Sequence, residues 1–349
     1  MFARSAKRLS IGSRALHLNS WFTEIIALSL FVFFVLLLAA CAQPSAPAEQ
    51  PTPSHTSPPP TNTSPPPTAT ATITPSPTPV PAGPRIVFTS NRGADPNKLD
   101  LYILDLETME IAPLNTGLQP ILPQWSPDGS KILFSVIDIW NLYTIGADGA
   151  NLTQVTDFRS NNGDWSPDGS QIVFQSDHQN EPEDVPDLYR IDANGENLFE
   201  ILDTPDVIDY SPRWSPVEDK IMFISRQTGK DEIFTIKVDG SELTKISDSG
   251  SPVTGAVWSP DGSRIAITFG GFGKTDLYVM DPDGISNVVR LTQNQSTNNS
   301  PSFSPDGKQI VFASSMSGSW ELWMINVDGT NLVQLTDDVY LDAFPDWSP

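Results

Sequence analysis

The chain is almost empty of the residues on which most enzymes and metal proteins rely. Cys41 is the single cysteine among 349 residues. No disulfide can form within the chain, and no catalytic thiol or thiolate metal site is available after it. Histidine is nearly as scarce, limited to His17, His55 and His178. A metal site of several histidines is therefore excluded. A Ser-His-Asp triad would have to use His178, which sits in an acidic loop. No Gly-x-Ser-x-Gly elbow occurs, and no turn has the Asp-x-Asp-x-Asp-Gly spacing of a calcium loop. Basic residues are few as well, 20 against 42 acidic ones. From residue 84 onward the balance is sixteen basic to forty acidic, a formal net charge of −24. A field of that sign repels phosphate backbones and excludes nucleic acid as a partner. The expectation is no cofactor, no metal and no catalysis.

Long apolar runs are also missing, with one exception. Arg4, Lys7, Arg8 and Arg14 precede a largely apolar stretch from Ile25 to Ala40. A basic segment, an apolar segment and small residues at its end have the form of a secretory signal. Leu38-Ala39-Ala40-Cys41 looks like a bacterial lipobox, in which the signal is cut before a cysteine that then receives lipid. The resemblance implies Cys41 as the lipidated first residue of the mature chain. An uncleaved membrane anchor is the alternative. Its apolar run of about 16 residues is short of the roughly 20 needed to span a bilayer. Either reading holds the protein in the cell envelope, outside the cytoplasmic membrane.

Residues 42–84 carry fifteen prolines and fourteen serines or threonines. Such a segment buries too little to offset its ordering entropy, so it reads as a disordered stalk, with a proline-rich ligand as the competing reading. In polyproline-II geometry 43 residues reach roughly 130 Å. The expected division is 1–41 signal, 42–84 linker and 85–349 folded domain.

That domain repeats. Trp125-Ser126-Pro127, Trp165-Ser166-Pro167, Trp214-Ser215-Pro216, Trp258-Ser259-Pro260, Phe303-Ser304-Pro305 and Trp347-Ser348-Pro349 are spaced by 40, 49, 44, 45 and 44 residues. A period in this range marks a repeat architecture. Each unit holds short β-rich runs such as Lys131-Ile132-Leu133-Phe134, a Leu-Tyr pair and a closing Leu-Thr or similar, with no helical period. Four strands per unit and six units predict an all-β, six-bladed propeller of four-stranded blades. The first unit lacks a tryptophan strand and the last tryptophan has nothing after it. The segment Phe344 to Trp347 is therefore expected to pair with Arg85 to Ser90 and close the ring.

Antiparallel strands place the Ser-Pro-Asp-Gly and Asp-Gly turns on one face and the long, variable loops on the other. The short turns read as structural: proline presets the first turn position and glycine takes the left-handed one. Binding residues are expected on the long-loop rim, among its many aspartates. The candidates are Asp164, Asp209, Arg213, Asp342 and Asp346.

The repeat Trp-Ser-Pro-Asp-Gly-Ser-x-Ile-x-Phe, followed by Leu-Tyr-x-hydrophobic-Asp and Asp-Gly-x-x-x-x-x-Leu-Thr, resembles that of TolB-like propellers. The match is best at residues 125–156, 165–192 and 303–336. The resemblance implies an extracytoplasmic propeller that binds protein partners. TolB proteins carry an additional N-terminal α/β domain, where this chain has the lipobox and stalk. Two functional readings follow. The first is a membrane-tethered, monomeric, non-enzymatic module that binds a protein, peptide or glycan. The alternative is a carbohydrate-active enzyme using rim carboxylates.

Overall fold

The computed structural model describes residues 83–177, 185–247, 252–271, 273–284 and 286–349. Cys41, the apolar run, the Pro/Thr/Ser segment, His178, Asp184 and Asp248 lie outside the described residues.

Among the described residues, twenty-four strands form six four-stranded antiparallel sheets. The first sheet takes β1 (Arg85–Ser90), β2 (Asp100–Asp105) and β3 (Ile111–Pro113). The second is β4 (Pro120–Trp125), β5 (Lys131–Val136), β6 (Asn141–Gly146) and β7 (Thr153–Gln154). The third is β8 (Asn161–Trp165), β9 (Gln171–Ser176), β10 (Asp187–Asp192) and β11 (Phe199–Leu202). The fourth is β12 (Asp209–Trp214), β13 (Lys220–Ser225), β14 (Glu232–Lys237) and β15 (Thr244–Lys245). The fifth is β16 (Val253–Trp258), β17 (Ile265–Gly271), β18 (Lys274–Met280) and β19 (Val289–Arg290). The sixth is β20 (Asn298–Phe303), β21 (Gln309–Ser314), β22 (Glu321–Asn326) and β23 (Val333–Gln334), and β24 (Asp342–Trp347) remains. β24 completes the first sheet as its inner strand, in the order β24-β1-β2-β3. Ile86 pairs with Trp347 and Ser90 with Asp342, so the ring closes as the half-repeats predict.

Period-2 alternation explains how the blades stack. Ile132 and Phe134 of β5 pack with Val87, Leu101 and Ile103 of the preceding blade. Leu133, between them, packs with Ile172 and Phe174 of the next. Successive side chains of a strand point to opposite sheet faces, so one short Ile-x-Phe run serves two interfaces. All six junctions use this arrangement, and each includes the aromatic that ends an inner strand. Truncating a wholly buried Phe in such an interface typically costs about 3–5 kcal/mol. The residues predicted to close each unit, such as Leu114, Val155 and Leu291, mostly follow the short outer strand by one position. Their amides donate to Leu101, Leu142 and Leu277.

Every inner strand carries a bulge, which the sequence reading missed. Register slips between Ile121 and Gln124, Asn161 and Asp164, Tyr210 and Arg213, and Asn299 and Ser302. Leu122, Asn162, Ser211, Ser300 and Phe344 occupy the left-handed region there, with φ between 50° and 56°. For Leu and Phe this backbone is costly, and the surrounding sheet must hold it. Pro123, Pro212, Pro301 and Pro345 follow four of these residues, and a bulge is where a strand tolerates proline. The signal was legible: a proline two residues before the aromatic.

The short turns form closed hydrogen-bond cages. Ser126 Oγ donates to Asp128 at 2.6 Å, Ser130 donates from both N and Oγ, and Lys131 N returns to Ser126 Oγ. The pattern recurs at Asp168, Asp261 and Asp306. These donors hold all four carboxyls down at about 2. Depressed acids add stability above the ordinary carboxyl range and lose it as pH falls through about 2. The third turn, Ser215 to Asp219, lacks the cage and instead has the amides of Val217 and Glu218 donating to Ser215 Oγ.

Removing residues 342–349 should expose the inner edge of the first sheet. The expected result is a stability loss of several kcal/mol, or aggregation. Thermal melts and size-exclusion profiles of the truncated and full-length chains test this. A truncated protein matching its parent in both would contradict closure by β24.

Candidate binding site

All five predicted binding residues are found on inner strands, which corrects their expected placement on the loops. Asp209 and Asp342 are the first residues of β12 and β24, and Asp164, Arg213 and Asp346 directly precede the aromatics of β8, β12 and β24. The reason is the bulge. It lengthens the tryptophan strand upstream, drawing into the sheet residues that spacing alone assigns to the preceding loop.

The position before the aromatic works as a link between blades. Asp346 Oδ2 accepts the amide of Trp125 in the next blade at 2.7 Å. Asp164 Oδ2 accepts that of Trp214 at 2.7 Å. Ser302 Oγ accepts the amide of Trp347 at 3.1 Å and donates to Asp346 Oδ1 at 2.9 Å. Arg213 donates to Asn162 Oδ1 and Pro212 O, and Asn162 donates to Ser211. Asp346 and Arg213 are thus brought into one network with Asp164, drawn from three blades.

Burial dominates the electrostatics of this network. It raises the Asp346 carboxyl to about 7, with the Asp164 charge adding to the shift and two donated hydrogen bonds and Arg213 opposing it. Asp164 is raised for the same reason, against the pull of Arg213. Asp209 is raised to about 6 by burial, with Asp187 contributing. A shifted carboxyl in a polar network is a usual mark of catalysis. Here, however, both oxygens of Asp346 and one of Asp164 are committed as acceptors that bind blade to blade.

The rim acids have a repeated structural task as well. Asp100, Asp187, Asp276 and Glu321 stand at or near the start of the third strand of their blades. Each accepts a threonine hydroxyl from the following loop: Thr116, Thr204, Thr292 and Thr336. Thr292 and Thr336 also receive the amides of Leu277 and Leu322. This is the physical meaning of the repeated Leu-Thr. Asp157, Asp206 and Asp337 remain exposed on the long-loop face. On the opposite face, a groove of about 320 Å³ between blades 2 and 3 is lined by Pro127, Lys131, Trp165 and Pro167. The expectation of minimal turns there had not included a concavity.

The raised acids make stability depend on pH in a defined direction. A carboxyl held above its unfolded value stabilises the fold fully below about 3.8, and that contribution is lost as pH rises through the folded value. Stability should therefore fall between about pH 4 and pH 7. Asp346→Asn should flatten the decline. Urea unfolding of both proteins at intervals from pH 4 to 8 measures it, and parallel curves would overturn the assignment.

Comparisons place this geometry among known proteins. Residues 186–349 match the model of the TolB beta propeller domain. The Tol-Pal system protein TolB of Anaeromyxobacter dehalogenans (strain 2CP-C) is 31% identical over 117 residues, which is 34% of this chain and 26% of that protein. The chain thus spans about a quarter of the length of the curated relative it matches. Among solved structures, TolB from Acinetobacter baumannii superposes with a TM-score of 0.65 at 21% identity, covering 76% of this chain and 66% of the other. A putative TolB from Agrobacterium tumefaciens gives 0.60 at 18%, covering 76% and 99%. By its repeats, by the domain matched over residues 186–349 and by its fold, the chain is similar to the TolB propellers.

Proposed function

We propose that the propeller is a protein-binding scaffold of the cell envelope, tethered outside the cytoplasmic membrane through Cys41 and its Pro/Thr/Ser stalk. One observation carries the preference for binding over catalysis. The inner-strand acids whose carboxyls are raised, Asp164 and Asp346, instead accept the tryptophan amides of neighbouring blades. The relatives named as Tol-Pal system proteins support a protein as the partner class. No helix among the described residues is long and apolar enough to cross a membrane, so tethering rests on the N-terminal segment.

The partner is a basic protein surface that meets the long-loop face. That face exposes Asp157, Asp206 and Asp337 on a domain of net charge −24. Such a field speeds encounter and weakens with salt. Of the earlier candidates, Asp209 is wholly buried, and Asp164 and Asp346 are half-buried and bonded to tryptophan amides of neighbouring blades.

Changing Asp157, Asp206 and Asp337 together to Asn should slow association with a captured envelope partner and reduce the salt dependence of binding. Lys131→Gln and Asp148→Asn on the opposite face should change little. Surface plasmon resonance at several salt concentrations distinguishes the two sets. A larger effect from the second set would move the contact to the groove face.

For the tether, Cys41→Ser should abolish acyl labelling and shift the protein from the membrane pellet to the soluble fraction. Unchanged labelling would refute lipidation at Cys41.

A further inference from the structure

The loop between β23 and β24 joins blade 6 to blade 1 across the seam where the ring closes. It departs from its counterparts at one position. Two residues past Thr116 stands Leu118, and two past Thr156 stands Phe158. Both fold back against the core of their junctions. Two residues past Thr336 stands Asp338, whose carboxylate turns to Arg92. The apolar residue comes one place later, as Val339, and it stands outward with 89% of its surface exposed. Among the described residues, no other large apolar side chain exceeds 61%.

The backbone on both sides of Val339 is fixed. Arg92 Nη2 lies 3.2 Å from Asp338 Oδ2 and 2.5 Å from Asp342 Oδ2. Its guanidinium lies over the rings of Phe88, Tyr102 and Tyr340 at 5.3–5.6 Å. The amide of Asp338 donates to Glu321 Oε1 at 3.4 Å, and that of Tyr340 to Asp338 Oδ1 at 2.8 Å. The amides of Leu341 and Asp342 donate to Asn91 Oδ1 and Trp320 O, at 2.8 and 2.9 Å. An apolar side chain held out in water by a pinned loop gains from burial and loses little freedom on binding.

Resting on the protein-binding reading of the long-loop face, we infer that Val339 is the apolar anchor of that contact. It seats in an apolar pocket of the partner protein that carries a lysine or arginine at its rim. A single protruding side chain calls for a concave surface. The rim charge follows from Asp337, exposed two residues away, while Asp338 is already paired with Arg92. A lipid surface fits less well. Anionic headgroups would meet a domain of net charge −24, and one valine adds little insertion.

The test places the photo-crosslinker benzoylphenylalanine at position 339 of the full-length chain in its own envelope. The expected result is a crosslink to one protein, mapped by mass spectrometry to an apolar residue close to a lysine or arginine. A parallel crosslinker at position 217, exposed on the opposite face, should not give that product. No crosslink, a crosslink to lipid, or the same product from both positions would overturn the anchor. The crosslinked protein, purified, then serves as the analyte in surface plasmon resonance. Val339→Ser should weaken its binding tenfold or more through faster dissociation, equally at low and high salt, with Tm unchanged. Val339→Ile should bind as the parent does. The combined Asn variant of Asp157, Asp206 and Asp337 acts instead on association and its salt dependence. If that variant slows association while Val339→Ser binds like the parent, the anchor is overturned and the long-loop contact stands. If neither changes binding, the reading of that face as the contact falls with it.

Discussion

Each blade of this ring has two apolar faces and can cover neither by itself. Ile132 and Phe134 need the blade before, and Leu133 needs the blade after. Burial is therefore complete only when six blades close on one another, and closure depends on a single strand pair, β1 with β24. The hydrophobic contribution at the seam, about 1.5–3 kcal/mol for each fully buried large aliphatic or aromatic side chain, becomes available only through that closure. The same need for neighbours explains why the junctions hold so much of the hydrogen bonding.

Polar groups refine what apolar packing begins. At three junctions a side chain just before an aromatic accepts the amide of the next blade's tryptophan: Ser302 to Trp347, Asp346 to Trp125 and Asp164 to Trp214. Two of these flank the closing strand. Burial raises the Asp346 carboxyl to about 7, so its ionisation costs stability as pH rises. The exposed aspartates of the short turns act in the opposite sense, held near 2 by serine hydroxyls. A chain with forty acidic residues in its folded region thus uses them in two ways: in the turns as local acceptors, at the junctions as long-range ones.

Function follows from what these commitments leave over. Acids engaged in the ring are poor candidates for chemistry, while Asp157, Asp206 and Asp337 stay exposed on the long-loop face.

By itself the sequence determined the six repeats, the four strands of each, the tight turns at Asp128 and its equivalents, and the closure by the last strand. These follow from local chemistry: a two-residue period, proline and glycine at turn positions, and complementary half-repeats at the two ends. Only the tertiary structure decided that Asp164, Arg213 and Asp346 face neighbouring blades from inside strands rather than solvent from loops. A one-residue bulge at Leu122, Asn162 or Phe344 changes what every following residue touches. Its proline marks are visible in the sequence, but their meaning depends on a partner strand dozens of residues away.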